Sequence, residues 1–211
     1  MDIYRFGDTE NSKVIIQAID ERSLPSVEDE VRIVYELTGT MPYIMAVAVD
    51  DWFSDLSPWE APAVFDNRSF GSNAGQTLEY ILGLSNDSSK EYYLGGYSLS
   101  GLFALWAGYQ TDKFNGIAAA SPSMWFPGFL SYMEEHQIRC DNVYLSLGDR
   151  ESRTKNKAVA TVGDCIQSAN DILVSHGINC VFELNRGNHF TDVEIRCARA
   201  FARILENNYR L

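Results

Sequence analysis

The sequence predicts an α/β fold: a three-layer α/β/α sandwich on a mostly parallel sheet, in one domain spanning residues 1–211. Three observations predict it. Short apolar runs alternate with longer stretches of helical period. Most of the short runs are predominantly apolar, as strands covered on both faces require. No repeat, low-complexity tract or Pro/Gly-rich linker interrupts the alternation. With 45% apolar residues over 211 positions, the chain can bury a continuous core.

In chain order, VIIQAID (14–20) reads as a strand, SVEDEVRIVYELTG (26–39) as a helix and YIMAVAVD (43–50) as a strand. AGQTLEYILGL (74–84) is a helix, YYLGGYS (92–98) a strand and LSGLFALWAGY (99–109) a helix. The second half continues with the strand GIAAAS (116–121), a helix over FLSYMEEH (129–136) and the strand NVYLSLG (142–148). A long helix over about 158–175, the strand NCVFELN (179–185) and a last helix from Thr191 towards Asn207 complete it. Strand then helix, repeated, implies right-handed crossovers, and ligands in such sheets sit beyond the carboxyl ends of the strands. Chemistry is therefore expected in loops 20–24, 50–58, 96–101, 121–127, 148–157 and 186–190.

Composition excludes several classes. Seventeen Lys plus Arg against 29 Asp plus Glu gives a net charge of -12, which repels a nucleic-acid backbone. The amino-terminal MDIYRFGDTENSK has no signal-peptide pattern, and YIMAVAV at 43–49 is far shorter than the ~20 residues that span a bilayer. A cytoplasmic protein without a membrane partner is expected, its oligomeric state left open. Cys140, Cys165, Cys180 and Cys197 form no C-x-x-C pair and read as reduced thiols. His136, His176 and His189 lack H-x-x-H or H-E-x-x-H spacing, so no metal is expected, and no cofactor.

GGYSLSG at 95–101 places Ser98 between an apolar strand and a helix, with Gly96 two before it and Ser100 two after. A side chain at the tip of such a strained turn needs small residues at those two positions. Ser100 fails as the nucleophile, because Leu102 occupies its second position. The segment resembles the nucleophile elbow of α/β hydrolases, G-x-S-x-G, with Ser100 in place of the second glycine. The helix that follows aims free amides at the turn, so the Leu99 N–H is an oxyanion donor.

His136 and His176 read as helix-end residues, whereas His189, in ELNRGNHFTD, follows the last strand where the α/β-hydrolase order places the base. The acid of that order belongs in the loop after NVYLSLG, where Asp149 and Glu151 compete. Family spacing, three residues beyond the strand-ending Gly148, favours Glu151; the other carboxylate would cap the loop or pair with Arg150. The second oxyanion donor is expected from the loop after VIIQAID, as a backbone N–H of Glu21 or Arg22, although the usual glycines are missing.

SPSMWF (121–126), LSPW (56–59) and GLFAL after the elbow are similar to segments of esterases related to the siderophore trilactone esterases, over roughly residues 14–205. The resemblance implies a minimal α/β-hydrolase fold. Only about 15 residues separate GIAAAS from the end of the next helix, which leaves no room for a large cap and implies an open site. Trp52, Trp59, Trp125 and Phe126 would line the acyl or alcohol pocket, unless they are core. The function implied is hydrolysis of a small-molecule carboxylic ester through an acyl-enzyme on Ser98. An acyltransferase or thioesterase with the same residues, or a silent binding protein on the same fold, are the alternatives. The acid loop carries Arg150, Arg153, Lys155 and Lys157, but two other loops carry Asp20, Glu21, Asp50, Asp51 and Asp55. A neutral or singly charged short acyl ester is therefore expected to outrank a tri-anionic ferric siderophore.

Overall fold

The structure, a computed structural model, describes residues 1–65 and 67–206. Its main sheet holds seven strands in the order β1 (Asp2–Gly7), β3 (Tyr43–Ala48), β2 (Lys13–Ile19), β6 (Glu91–Tyr97), β7 (Gly116–Ala120), β8 (Asn142–Gly148) and β9 (Asn179–Asn185). All neighbours pair in parallel except β1, which runs antiparallel to β3.

The period of two along each strand builds the layers. In β2, Val14, Ile16 and Ala18 join one core while Ile15 and Ile19 join the other. The first core is closed by α3 (Ala74–Leu84), α4 (Leu99–Gln110), α5 (Phe129–Glu135) and α6 (Val162–Ser175). The second is closed by α1 (Leu24–Thr38) and α7 (Val193–Leu205), which pack on each other. This is a three-layer α/β/α sandwich. Helix α4 is buried from Leu99 to Tyr109, which is why its sequence has no polar face.

β1, α2 (Trp52–Asp55), β4 (Ala61–Phe65) and β5 (Arg68–Phe70) were not expected from the sequence. β1 is an edge strand whose burial is mixed rather than continuous, so it carries no buried-strand signal. The segment after β3 holds the one-turn helix α2 and a small hairpin of β4 and β5, all too short for periodicity to register. The helix expected from about 158 opens with a 3-10 turn, Val159–Thr161, before becoming α6. The last helix ends at Leu205; Asn207 lies outside the described residues.

Cys140, Cys165, Cys180 and Cys197 carry free thiols. His136 ends α5 with its ring stacked on Tyr132 at 4.1 Å, and His176 ends α6 before the left-handed Gly177. Among the described residues no helix is long and apolar enough to cross a membrane.

Candidate active site

Ser98 sits between β6 and α4 with φ 60° and ψ −121°, a conformation that costs about 1–3 kcal/mol for a residue with a Cβ. Gly96 makes the turn possible: a Cβ there would lie 2.0 Å from Ser100 Oγ. Ser100 is buried and donates its hydroxyl to Ala18 O at 2.7 Å, so it ties the turn to β2 and is withdrawn from the cavity. The Ser98 side chain makes no capping bond to α4, so the first amides of that helix have no side-chain cap, and Leu99 lines the cavity.

Ser98 Oγ lies 3.0 Å from His189 Nε2, and His189 Nδ1 lies 2.7 Å from Glu151 Oε2. The structure thus brings Ser98, His189 and Glu151 into one hydrogen-bonded series. Asp149 lies outside it: its Oδ1 accepts the Gly187 N–H at 2.8 Å and faces Arg150 Nε at 3.7 Å. The spacing has a steric cause. Glu151 Oε1 folds back onto the Gly148 N–H at 2.7 Å, and a Cβ on Gly148 would stand 2.9 Å from that oxygen and 2.8 Å from an Arg196 nitrogen.

Glu151 Oε1 also accepts from Ser121 Oγ at 2.8 Å and from Arg196 Nη1 at 2.9 Å. Burial alone raises a carboxyl, but hydrogen bonds from His189, Gly148 and Ser121 and the charge of His189 overcome it and hold Glu151 below its ordinary range. The same Arg196 nitrogen meets Tyr97 Oη at 3.0 Å, and Tyr97 donates its hydroxyl to His189 O at 2.8 Å. Burial pushes the Tyr97 phenol up to about 12, so it remains a donor at neutral pH. Arg196 and Tyr97 thus hold the carboxylate and the histidine backbone from behind.

Ser121 takes φ 43° at the end of β7, and this bend turns its hydroxyl to Glu151. Two residues on, Ser123 donates its N–H to Ser98 O and places its hydroxyl 3.4 Å from Ser98 Oγ. None of Tyr97, Ser121, Ser123 and Arg196 was singled out in sequence. The available signal was the position of Arg196 in the apolar stripe of α7, three residues after Val193 and four before Ala200.

A cavity of about 530 Å3 opens over Ser98. Trp52 and Trp125 line it, as do Phe53, Phe70 and Phe190, which the sequence reading passed over. Trp59 and Phe126 do not line it, and this corrects the expected pocket wall. Trp59 donates its indole N–H to Pro127 O at 2.9 Å and packs on Phe126 and Phe129, while Phe126 is buried against Phe70. Both support the wall from behind. Glu21 and Arg22 also lie off this cavity, in a neighbouring depression. The Arg22 N–H is engaged by Asp20 Oδ1 at 3.0 Å, so it is not a free oxyanion donor; the Glu21 N–H opens the 3-10 turn Glu21–Ser23 and has no partner within it. Among the described residues no cluster of His, Cys, Asp and Glu is arranged to hold a metal ion.

Chemically, the series can take a proton from Ser98 and hold the resulting imidazolium against a carboxylate. No family model matches the chain, and no curated protein matches its sequence. Solved structures do match. A siderophore hydrolase, EstA from Aspergillus nidulans, is 16% identical with a TM-score of 0.71, over 97% of this chain and 89% of that one. An IroE-like serine hydrolase from Shewanella oneidensis is 15% identical with a TM-score of 0.72, over 92% and 70%. The enterobactin esterase FES from Shigella flexneri is 13% identical with a TM-score of 0.69, over 97% of this chain but 55% of its own. At these identities the likeness is one of fold, and the chain has the α/β-hydrolase fold.

Proposed function

We propose that the protein is a serine hydrolase that cleaves a small carboxylic ester through an acyl-enzyme on Ser98. The observation that carries this reading is the series Ser98 Oγ, His189 Nε2, Nδ1 and Glu151 Oε2, with links of 3.0 and 2.7 Å, at the wall of an open cavity. The fold shared with hydrolases and esterases agrees with it.

His189 Nε2 takes the hydroxyl proton as Ser98 Oγ attacks the acyl carbon, and the Leu99 N–H meets the oxyanion. Collapse returns that proton to the leaving alcohol and leaves the acyl group on Ser98. Water, activated by the same imidazole, adds to the acyl carbon, and the acid leaves as Ser98 regains its proton. Glu151 fixes the tautomer that keeps Nε2 free and stabilises the imidazolium.

Labelling with a fluorophosphonate and mapping the adduct tests the reading, which predicts modification of Ser98. Ser98→Ala should lower ester turnover by ~10⁶-fold. Ser100→Ala should keep most of the activity and cost only the bond to Ala18, about 1 kcal/mol of stability. An adduct on any other residue, or full activity in Ser98→Ala, overturns it.

A further inference from the structure

We infer that Arg150 and Arg153 form an anion subsite in the Ser98 cavity, and that the preferred substrate is a small ester bearing one carboxylate besides its scissile bond. The kinetic part of this inference rests on the hydrolase reading above; the binding part does not.

The chain carries a net charge of -12, yet the acidic side chains of the neighbouring loops do not line this cavity. Asp20, Glu21 and Asp50 line the separate depression that holds Arg22. Asp51 is paired with Arg68 at 2.7 Å, and the buried Asp55 accepts the Asp51 N–H at 2.9 Å. The acidic loops weighed against an anion in the sequence are thus turned away from Ser98.

Inside the cavity the charged side chains other than His189 are Arg150, Arg153 and Glu151. Glu151 is fully engaged, its Oε2 by His189 and its Oε1 by Ser121, Gly148 and Arg196, so its charge is answered from within the protein. Arg153 makes no ion pair among the described residues, and Arg150 meets Asp149 only at 3.7 Å through Nε. Two exposed arginines with donors to spare therefore line a cavity whose one carboxylate is already engaged, and the planar fork of each guanidinium matches a carboxylate in bidentate contact. Trp52, Phe70 and Trp125 supply an aromatic wall to the same cavity. An anion on one arm and an apolar group on the other meet both linings.

One carboxylate fits better than several. The volume of about 530 Å3 lies in the lower half of the ~300–1,000 Å3 range of small-molecule pockets. A multiply charged ligand also meets the field of the acidic chain more strongly, whereas contact with the arginines acts well inside the ~8 Å screening length.

The test uses two matched pairs. Mono(4-nitrophenyl) glutarate and its methyl ester place the charge on the acyl arm; 4-acetoxybenzoate and its methyl ester place it on the alcohol arm. The expected result is a kcat/KM about tenfold higher for the carboxylate in at least one pair, with the ratio falling to near unity in Arg150→Gln/Arg153→Gln and the loss carried in KM. Equal or lower rates for the carboxylate in both pairs, or an unchanged ratio in the double variant, overturn the inference. Binding of monobenzyl glutarate to Ser98→Ala, followed by tryptophan fluorescence, tests the subsite without turnover. Here too the charged ligand should bind more tightly than its methyl ester, by a margin lost in the triple variant Ser98→Ala/Arg150→Gln/Arg153→Gln. No turnover of any ester with charge-selective binding retained would sink the hydrolase reading alone; no charge selectivity in binding would sink the subsite.

Discussion

Two buried glutamates touch adjacent residues of α7 and titrate in opposite directions. Glu151 faces Arg196, and donors from Gly148, Ser121 and His189 surround it, so its carboxyl is held low despite burial. Glu30, on α1, meets the Cys197 thiol and the amide of Gln17, with Glu194 nearby; burial dominates there and raises it to about 7. Burial is common to both. What differs is the number of donors and the presence of a cation, and these decide which form of a buried carboxyl the fold accepts. The Glu151 region is built to hold a charge, as the proposed chemistry requires, and the Glu30 region to tolerate an acid in its neutral form.

The sharpest way to break this comparison is to neutralise each carboxyl in turn. Glu151→Gln should lower ester turnover by ~10⁴-fold, because the imidazole is no longer held in the productive tautomer. Asp149→Asn should cost much less, since that side chain serves the Gly187 amide. Glu30→Gln should leave turnover within about threefold, since Glu30 neither lines the Ser98 cavity nor bonds to Ser98, His189 or Glu151 among the described residues. Steady-state kinetics on one neutral ester ranks the three. A larger loss in Asp149→Asn than in Glu151→Gln would reverse the assignment of the acid.

Next in size is the support behind Glu151. Arg196→Met removes one partner of a buried ion pair in which both side chains are no more than 3% exposed, and such losses cost about 3–5 kcal/mol. Arg196→Met/Glu151→Gln should recover part of that loss, because no unpaired charge remains. Urea denaturation of the wild type, both single variants and the double variant closes the cycle. Additive effects would mean that the two groups are not coupled.

These two regions also differ in how far they could be read from sequence. The three side chains that the structure brings together were expected on two grounds: Ser98 on a local rule, small flanking residues at a strained turn, and His189 and Glu151 over Asp149 on the order and spacing implied by the α/β-hydrolase resemblance. Most of the sheet was legible by a local rule too, since β2, β3, β6, β7 and β8 are buried on both faces and read as continuous apolar runs. Arg196 was not legible. Arg196, Arg199 and Arg203 recur along one helix, yet only the first has a fully buried side chain, and the partners that bury it come from β6, β7 and the Glu151 loop, far away in sequence. Trp59 and Phe126 misled by type: residue chemistry suggested a pocket wall, but burial set them one layer back. The edge strand β1 escaped because an edge need not be apolar on both faces.

The smallest expected effect concerns Glu30 and isolates the neutral carboxyl from the charged one through pH. An unfolded glutamate titrates near its ordinary value of 4.5, whereas folded Glu30 titrates near 7. Between those values the folded state holds a proton that the unfolded state has released, so the stabilisation is complete below pH 4.5 and is lost as pH rises towards 7. At about 1.36 kcal/mol per pKa unit the loss is at most ~3 kcal/mol, and relaxation of the α1–α7 packing would reduce it. Glu151 contributes the opposite slope: held low when folded, it loses stability only as pH falls through the acid range. Glu30→Gln keeps the size of the side chain and an oxygen for the Gln17 amide, but has no proton to lose. The variant should therefore match the wild type near pH 4.5 and exceed it at pH 8, while its acid limb stays unchanged. Denaturation midpoints measured across that range decide it. Parallel profiles for the two proteins would show that Glu30 titrates normally, and the contrast with Glu151 would then lie in position alone.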